Sequence, residues 1–184
     1  MTTTGIVILV IGVIIIAGLA FYLYRERRTK TLRQHFGPEY DHAVREYGSQ
    51  PKAEQALEAR QRRREKLQIH SIPLHEREQF SSRWHDVQAR FVDDPATSIR
   101  DADELVMQVM RARGYPVADF DHRAEDLSVD HPGVVRNYRA AHLVALRQER
   151  GEASTEELRQ ALVSYRDLFD ELLEAHTAGP GRKL

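Results

Sequence analysis

The chain has 184 residues, no cysteine, and 27 Lys/Arg against 28 Asp/Glu, for a formal net charge of −1. The absence of cysteine excludes disulfides and thiolate metal sites and accords with a cytoplasmic setting. The charge balance conceals an asymmetry: residues 25–66 carry 12 basic and 7 acidic side chains, whereas residues 67–184 carry 15 and 21.

The first element is the run Ile6–Tyr24, IVILVIGVIIIAGLAFYLY, which is 19 residues long and uncharged. As a helix it spans roughly 28 Å, close to the hydrocarbon thickness of a bilayer, and it reads as a transmembrane helix. A cleavable signal peptide competes for the same residues, with Gly18-Leu19-Ala20 as a small-residue cleavage site. The five residues before the run carry no positive charge, and the run exceeds the roughly 7–15 residues of a signal h-region. Both features favour an uncleaved anchor. Arg25, Arg27, Arg28, Lys30 and Arg33 follow the run and none precedes it, so the positive-inside rule puts residues 1–5 outside and the rest in the cytoplasm. Phe21, Tyr22 and Tyr24 suit an interfacial aromatic belt. The basic proximal segment is attracted to anionic head groups, although enforcing topology explains it equally well.

After the anchor every segment reads as helix. Thr31 to Phe36 continues the first helix to Gly37-Pro38, and Glu39–Tyr47 is a short helix with Tyr40, Val44 and Tyr47 on one stripe, stopped by Gly48. Lys52–Gln68 is a third helix, so polar that it suits a stalk or outer layer rather than core. Leu74–Val92 places Phe80, Trp84, Val87 and Phe91 on one apolar stripe. Asp93-Asp94-Pro95 opens Ala96–Arg113, with Ile99, Ala102, Leu105, Val106, Val109 and Met110 inward and Gly114 at its end. Tyr115–His131 reads as an acidic connector. Asp130-His131-Pro132 then starts a helix carrying Val134, Val135, Tyr138, Ala141, Ala145 and Leu146. Ser154-Thr155-Glu156-Glu157 is a capping box for a final helix with Leu158, Ala161, Leu162, Tyr165, Leu168, Phe169, Leu172 and Leu173 inward. The expected architecture is therefore all-α. It comprises a short N-terminus (1–5), a transmembrane helix (6–24), basic juxtamembrane and stalk helices (25–70), a small helical bundle (71–176) and a disordered tail (177–184). Phe80, Trp84, Phe91, Tyr165 and Phe169 are its expected core anchors.

The stretches LRQHFGPEYDHAVREYG, WHDVQARFVDDP, RGYPVADFDHRAEDLSVDHPGVVRNYRAAH and STEELRQALVSYRDLFDELL resemble a family of bacterial single-pass membrane-anchored helical proteins. The resemblance covers most of Leu32 to Leu173. It implies a bacterial source and one domain type behind the anchor. The family carries no assigned activity, so no functional residue transfers.

The densest polar cluster is Asp119, Asp121, His122, Glu125, Asp126, Asp130 and His131, whose carboxylates and imidazoles suit a divalent cation. An EF-hand is excluded, because Arg123 replaces an oxygen ligand, Ala124 the glycine and Asp130 the bidentate Glu. The competing account is an ordered loop turned by Asp caps, with Phe120 and Leu127 packed on the bundle, Asp130 capping the next helix and Asp119, Asp121 and Glu125 in solvent. Glu39 and His42 form half of a di-iron motif without its second half. His75-Glu76 begins like a zinc-protease helix but lacks the closing His. Arg60–Lys66 lacks the aromatics of a nucleic-acid platform and reads as a solvated face. His142 and Tyr138 read as satisfied core residues.

These features favour a non-enzymatic, membrane-anchored interaction module. It has no cofactor, contacts lipid through residues 6–24 and meets a protein partner; a nucleic-acid role is disfavoured. The alternative is a metal-binding protein or hydrolase centred on residues 119–131.

Overall fold

Gly37, Gly48 and Gly114 end helices and Pro38, Pro95 and Pro132 begin them, whereas Gly12 and Gly18 lie within a continuous helix. The computed structural model describes the backbone of residues 3–174 and the side chains of residues 11–174. Its helices are α1 (Thr3–Phe36), α2 (Pro38–Tyr47), α3 (Gln50–Arg64), α4 (Leu74–Arg90), α5 (Pro95–Arg113), α6 (Phe120–Asp130), α7 (Pro132–Glu149) and α8 (Thr155–Glu174). No strand occurs among the described residues, so the fold is all-α. The expected tail 177–184 lies outside the described residues.

The chain divides into two compact units, Met1–Leu57 and Glu58–Leu184, and the division falls inside α3. In the first unit α1 runs unbroken for 34 residues until Gly37, and α2 packs on it. Leu32, Phe36, Tyr40, Ala43, Ala53 and Leu57 are buried; Val44 and Tyr47 of the expected α2 stripe are half-buried. Among the described residues no helix is long and apolar enough to cross a membrane. Within the expected span, the part with described side chains, Ile11–Tyr24, covers about 21 Å at 1.5 Å per residue. The side chains of Ile6 to Val10 lie outside the described residues.

In the second unit, α8 packs on α5 and α7, α4 on α5, and α6 on α7. All six inward residues expected of α5 and all eight of α8 are buried. Trp84 stacks on Phe169, with centroids 4.7 Å apart and 23° between planes. Phe80 and Phe91 are only partly buried at the edge of this core. Leu146 is 38% exposed, because the inward face of α7 is narrower than its apolar content suggests.

The caps follow sequence chemistry. Asp94 accepts from the Thr97 backbone N–H at 3.0 Å, and Pro95 begins α5. The capping box is closed in both directions: Glu157 N–H donates to Ser154 Oγ at 3.3 Å, and Ser154 N–H donates to Glu157 Oε2 at 2.8 Å. Gly114 ends α5 at φ 93, where an added Cβ would lie 2.4 Å from the Gln68 carbonyl oxygen. His70 N–H donates to the Arg113 carbonyl at 3.0 Å, holding the 65–73 segment over the end of α5.

Two expectations are corrected here. The connector is not a loop throughout, because α6 occupies Phe120–Asp130 with Asp119 as its N-cap. Its signal was present in Phe120, Ala124 and Leu127 at i, i+4 and i+7, but the surrounding carboxylates obscured it. The third helix also ends at Arg64, four residues before Gln68, as hydrogen bonds from Lys66 and Leu67 to Arg63 and Arg64 tighten into turns.

Candidate functional site

The basic run on α3 and the acidic connector, two separate features of the sequence, meet within the second unit. Arg60 donates to Glu125 at 3.2 Å, and Arg63 donates to Glu125 and Asp126 at 2.7 Å each. Arg64 pairs with Asp130, which also accepts from Tyr115 Oη at 2.5 Å. Arg60 and Asp126 side chains are each 2% exposed. Asp130 therefore serves as an ion-pair partner and not as the expected cap of α7, whose N-terminal flank is His131 without a side-chain cap. The solvated-face reading of Arg60–Lys66 is likewise overturned at Arg60, Arg63 and Arg64. Their positions project from one side of α3, where the carboxylates of α6 receive them. Arg62, Glu65 and Lys66 remain exposed.

The other members of the expected metal cluster disperse. Asp119 accepts from the His122 backbone N–H at 3.1 Å, and its carboxylate lies 2.8 Å from His122 Nδ1. These two hydrogen bonds lower the Asp119 pKa, and the same contact raises that of His122. Asp121 is exposed, and His131 Nδ1 turns to Glu171 of α8 at 3.0 Å. Among the described residues no three His, Asp or Glu side chains group to hold a metal ion. Glu39 is buried on α2, His42 pairs with Glu46 at 3.8 Å, and His75 with Glu76 at 3.8 Å.

Sequence reasoning passed over a second polar group, inside the bundle. Asp103 of α5, Arg123 of α6, Tyr138 of α7 and Tyr165 of α8 converge there. Asp103 Oδ2 lies 3.9 Å from Arg123, and Asp103 Oδ1, Arg123 Nε and both phenol oxygens are buried without a hydrogen-bond partner. Burial raises the Asp103 pKa, and the Arg123 charge opposes that rise. Burial, then the Asp103 charge, pushes both tyrosines far up, so the phenols stay protonated. Tyr138 is thus a core residue, as expected, with its phenol set between Asp103 and Arg123. His142 stacks flat on Phe120 at 3.6 Å, half-buried, and burial lowers its pKa. The legible signal was Asp103 itself, which sits i+4 from Ile99 on an apolar stripe. Two clefts on the bundle, lined by Ala96, Ile99, Arg100, Ala145, Gln148 and Glu149 and by Arg83, Arg90, Asp101 and neighbours, include none of these four residues. The group has the character of a structural polar network, since buried ion-pair networks perturb pKa values as active sites do.

The first unit has its own polar node. Glu54 Oε1 accepts from Thr29 at 2.7 Å, Tyr40 at 2.9 Å and Gln50 at 2.9 Å, tying α1, α2 and α3 through one buried oxygen. Burial raises the Glu54 pKa, but the three donors and the Arg28 charge outweigh it, and the net shift is downward. Tyr40 is pushed up to about 12 by burial and by its bond to Glu54. Beside the node, Lys30 pairs with Glu26 at 2.7 Å and Arg33 lies 3.9 Å from Asp41 and over the Tyr40 ring.

Compared with known protein families, curated proteins and solved structures, the chain matches none. Its functional reading rests on its own residues.

Proposed function

We propose that this chain is a membrane-tethered helical module that holds or senses a protein partner at the inner face of a bacterial membrane, without catalysing a reaction. The observation that carries this reading is the position of the uncharged run Ile6–Tyr24 within the single unbroken helix α1, with five basic residues directly after it. Along its described part the large apolar side chains face outward: Val13 is 57% exposed, Ile16 69% and Phe21 65%. An apolar surface of this extent marks contact with a membrane or another protein. Its length, with the apolar residues 6–10 added, suits a bilayer.

The non-enzymatic part of the reading draws on the fate of the charged clusters. Arg60, Arg63 and Arg64 are engaged by Glu125, Asp126 and Asp130, which leaves these groups to hold the fold. Leu143 and Val163, 62% and 47% exposed on α7 and α8, are among the apolar positions the bundle offers to a partner, with Leu74 and Val92.

Carbonate extraction of membranes tests the tether: the chain stays in the pellet, and a mature chain beginning near Phe21 overturns the anchor. A reporter fused after Leu184 tests orientation, and active alkaline phosphatase there overturns the cytoplasmic placement. Photocrosslinkers at positions 143 and 163 in cells should trap a protein partner. If they trap nothing while a divalent metal shifts the melting of the chain strongly, the interaction reading is replaced by the metal-binding one.

A further inference from the structure

Two clefts of about 280 and 310 Å³ flank α1 in the first unit, at the level where its apolar run gives way to basic residues. One is lined by Phe21, Tyr24, Arg25, Arg28, Pro51 and Glu54, the other by Tyr22, Arg25, Glu26, Thr29 and Gln50. Arg25 lines both. The aromatic rings stand at the apolar end of each cleft, the arginines at the polar end, and the first turn of α3 forms the far wall. On that side the lining residues are Pro51 and Glu54 in the first cleft and Gln50 in the second.

The charges around the clefts are unevenly committed. Glu26 is engaged by Lys30, and Glu54 by Thr29, Tyr40 and Gln50. Arg33 lies near Asp41. Among the described residues no carboxylate is paired with Arg25 or Arg27, and both are exposed. The acids beside the clefts are therefore engaged from within the unit, whereas the arginine common to both clefts has its donors available to an outside anion. A guanidinium presents a planar fork that matches phosphate oxygens, and tyrosine rings favour the zone between acyl chains and head groups.

We propose that these clefts bind the phosphate head groups of anionic phospholipids of the cytoplasmic leaflet, with Arg25 as the principal ligand. The inference rests on the membrane-tether reading, which places residues 21–28 at that leaflet. It adds that the contact is a site of defined residues and not a diffuse attraction between basic side chains and a charged surface. The Glu54 node gives the site its rigidity, because one buried oxygen fixes Thr29 on α1 and Gln50 on α3, the two sides of the second cleft.

The test uses the full chain in detergent micelles, titrated with dioctanoyl phosphatidylglycerol, dioctanoyl phosphatidylcholine or inorganic phosphate, with bound lipid counted by native mass spectrometry. The expected result is saturable binding of phosphatidylglycerol over phosphatidylcholine, weakened about fivefold in R25Q, which is roughly the value of one basic residue at an anionic surface. R45Q removes an equal charge from α2 outside the clefts and should leave binding unchanged. Equal binding of both lipids, equal loss in R25Q and R45Q, or phosphate competing as strongly as the lipid overturns the site. Flotation with phosphatidylcholine vesicles separates the two readings. A chain that floats but shows no head-group preference keeps its tether and loses the site; a chain that does not float loses both.

Discussion

Trp84 lies against Phe169 with its ring buried and its indole nitrogen without an acceptor, so its contribution is packing rather than hydrogen bonding. Trp84→Ala should cost about 3–5 kcal/mol in chemical denaturation of the detergent-solubilised chain followed by circular dichroism. Val163→Ala, exposed on α8, should stay within about 0.5 kcal/mol. Similar costs would mean that the bundle is packed by other residues than these. Gly114 is a second position where one atom decides. Its positive φ disfavours a side chain, and a Cβ would meet the Gln68 carbonyl at 2.4 Å. Relieving that contact means moving backbone, so Gly114→Ala should exceed the roughly 1 kcal/mol ordinary cost of losing glycine from a left-handed position. A variant as stable as the parent would show that the 65–73 segment is not held over α5.

Between elements, the ion pairs of α3 and α6 set the largest departure from what the sequence suggests. Arg62 and Arg63 are neighbours in a run of arginines, yet Arg62 is exposed while Arg63 reaches Asp126, whose carboxylate is almost fully buried. Arg62→Ala should change stability by less than about 0.5 kcal/mol. Asp126→Ala should cost more than that, because it removes the buried acceptor of Arg63 Nε, although Arg63 keeps Glu125 at 2.7 Å. In a double-mutant cycle Arg63 and Asp126 should couple by about 0.5–3 kcal/mol, and additive effects would dissolve the clamp. The capping box gives a pH test. Hydrogen bonds from the Ser154 backbone, Arg147 and the Ser154 hydroxyl hold the Glu157 carboxyl at about 2, below its ordinary 4.5. A depressed acid stabilises the fold above its unfolded value, and that contribution is lost as pH falls from 4.5 towards 2. Glu157→Gln should therefore be less stable than the parent at neutral pH, with the two converging near pH 2. Parallel stability curves across that window would show that the box does not act through its charge.

At the scale of the whole molecule, the two units carry opposite charge biases. The first holds the apolar run, the basic collar and the Glu54 node; the second holds the bundle with its interior Asp103–Arg123–Tyr138–Tyr165 group. If the tether reading holds, deleting residues 6–24 should release the chain from membranes into the soluble fraction, and fractionation of cell extracts checks this directly. Release without the deletion, or retention after it, would assign membrane contact elsewhere.

Local chemistry determined the helices. Period-3.6 apolar stripes placed α5 and α8, Asp94-Pro95 and the Ser154–Glu157 box set their starts, and Gly37, Gly48 and Gly114 set stops, because these signals act within one or two turns of chain. The same logic misassigned the polar segments. A charged residue looks alike in sequence whether water or a distant partner receives it, so the arginines of α3 and Glu125 read as solvated and Asp130 as a helix cap. Only the tertiary structure brought residues 60–64 to residues 125–130 and set Asp103 among two phenols and a guanidinium. Those pairings depend on how helices far apart in the chain pack, and burial makes such pairs tolerable only once the partners are in place.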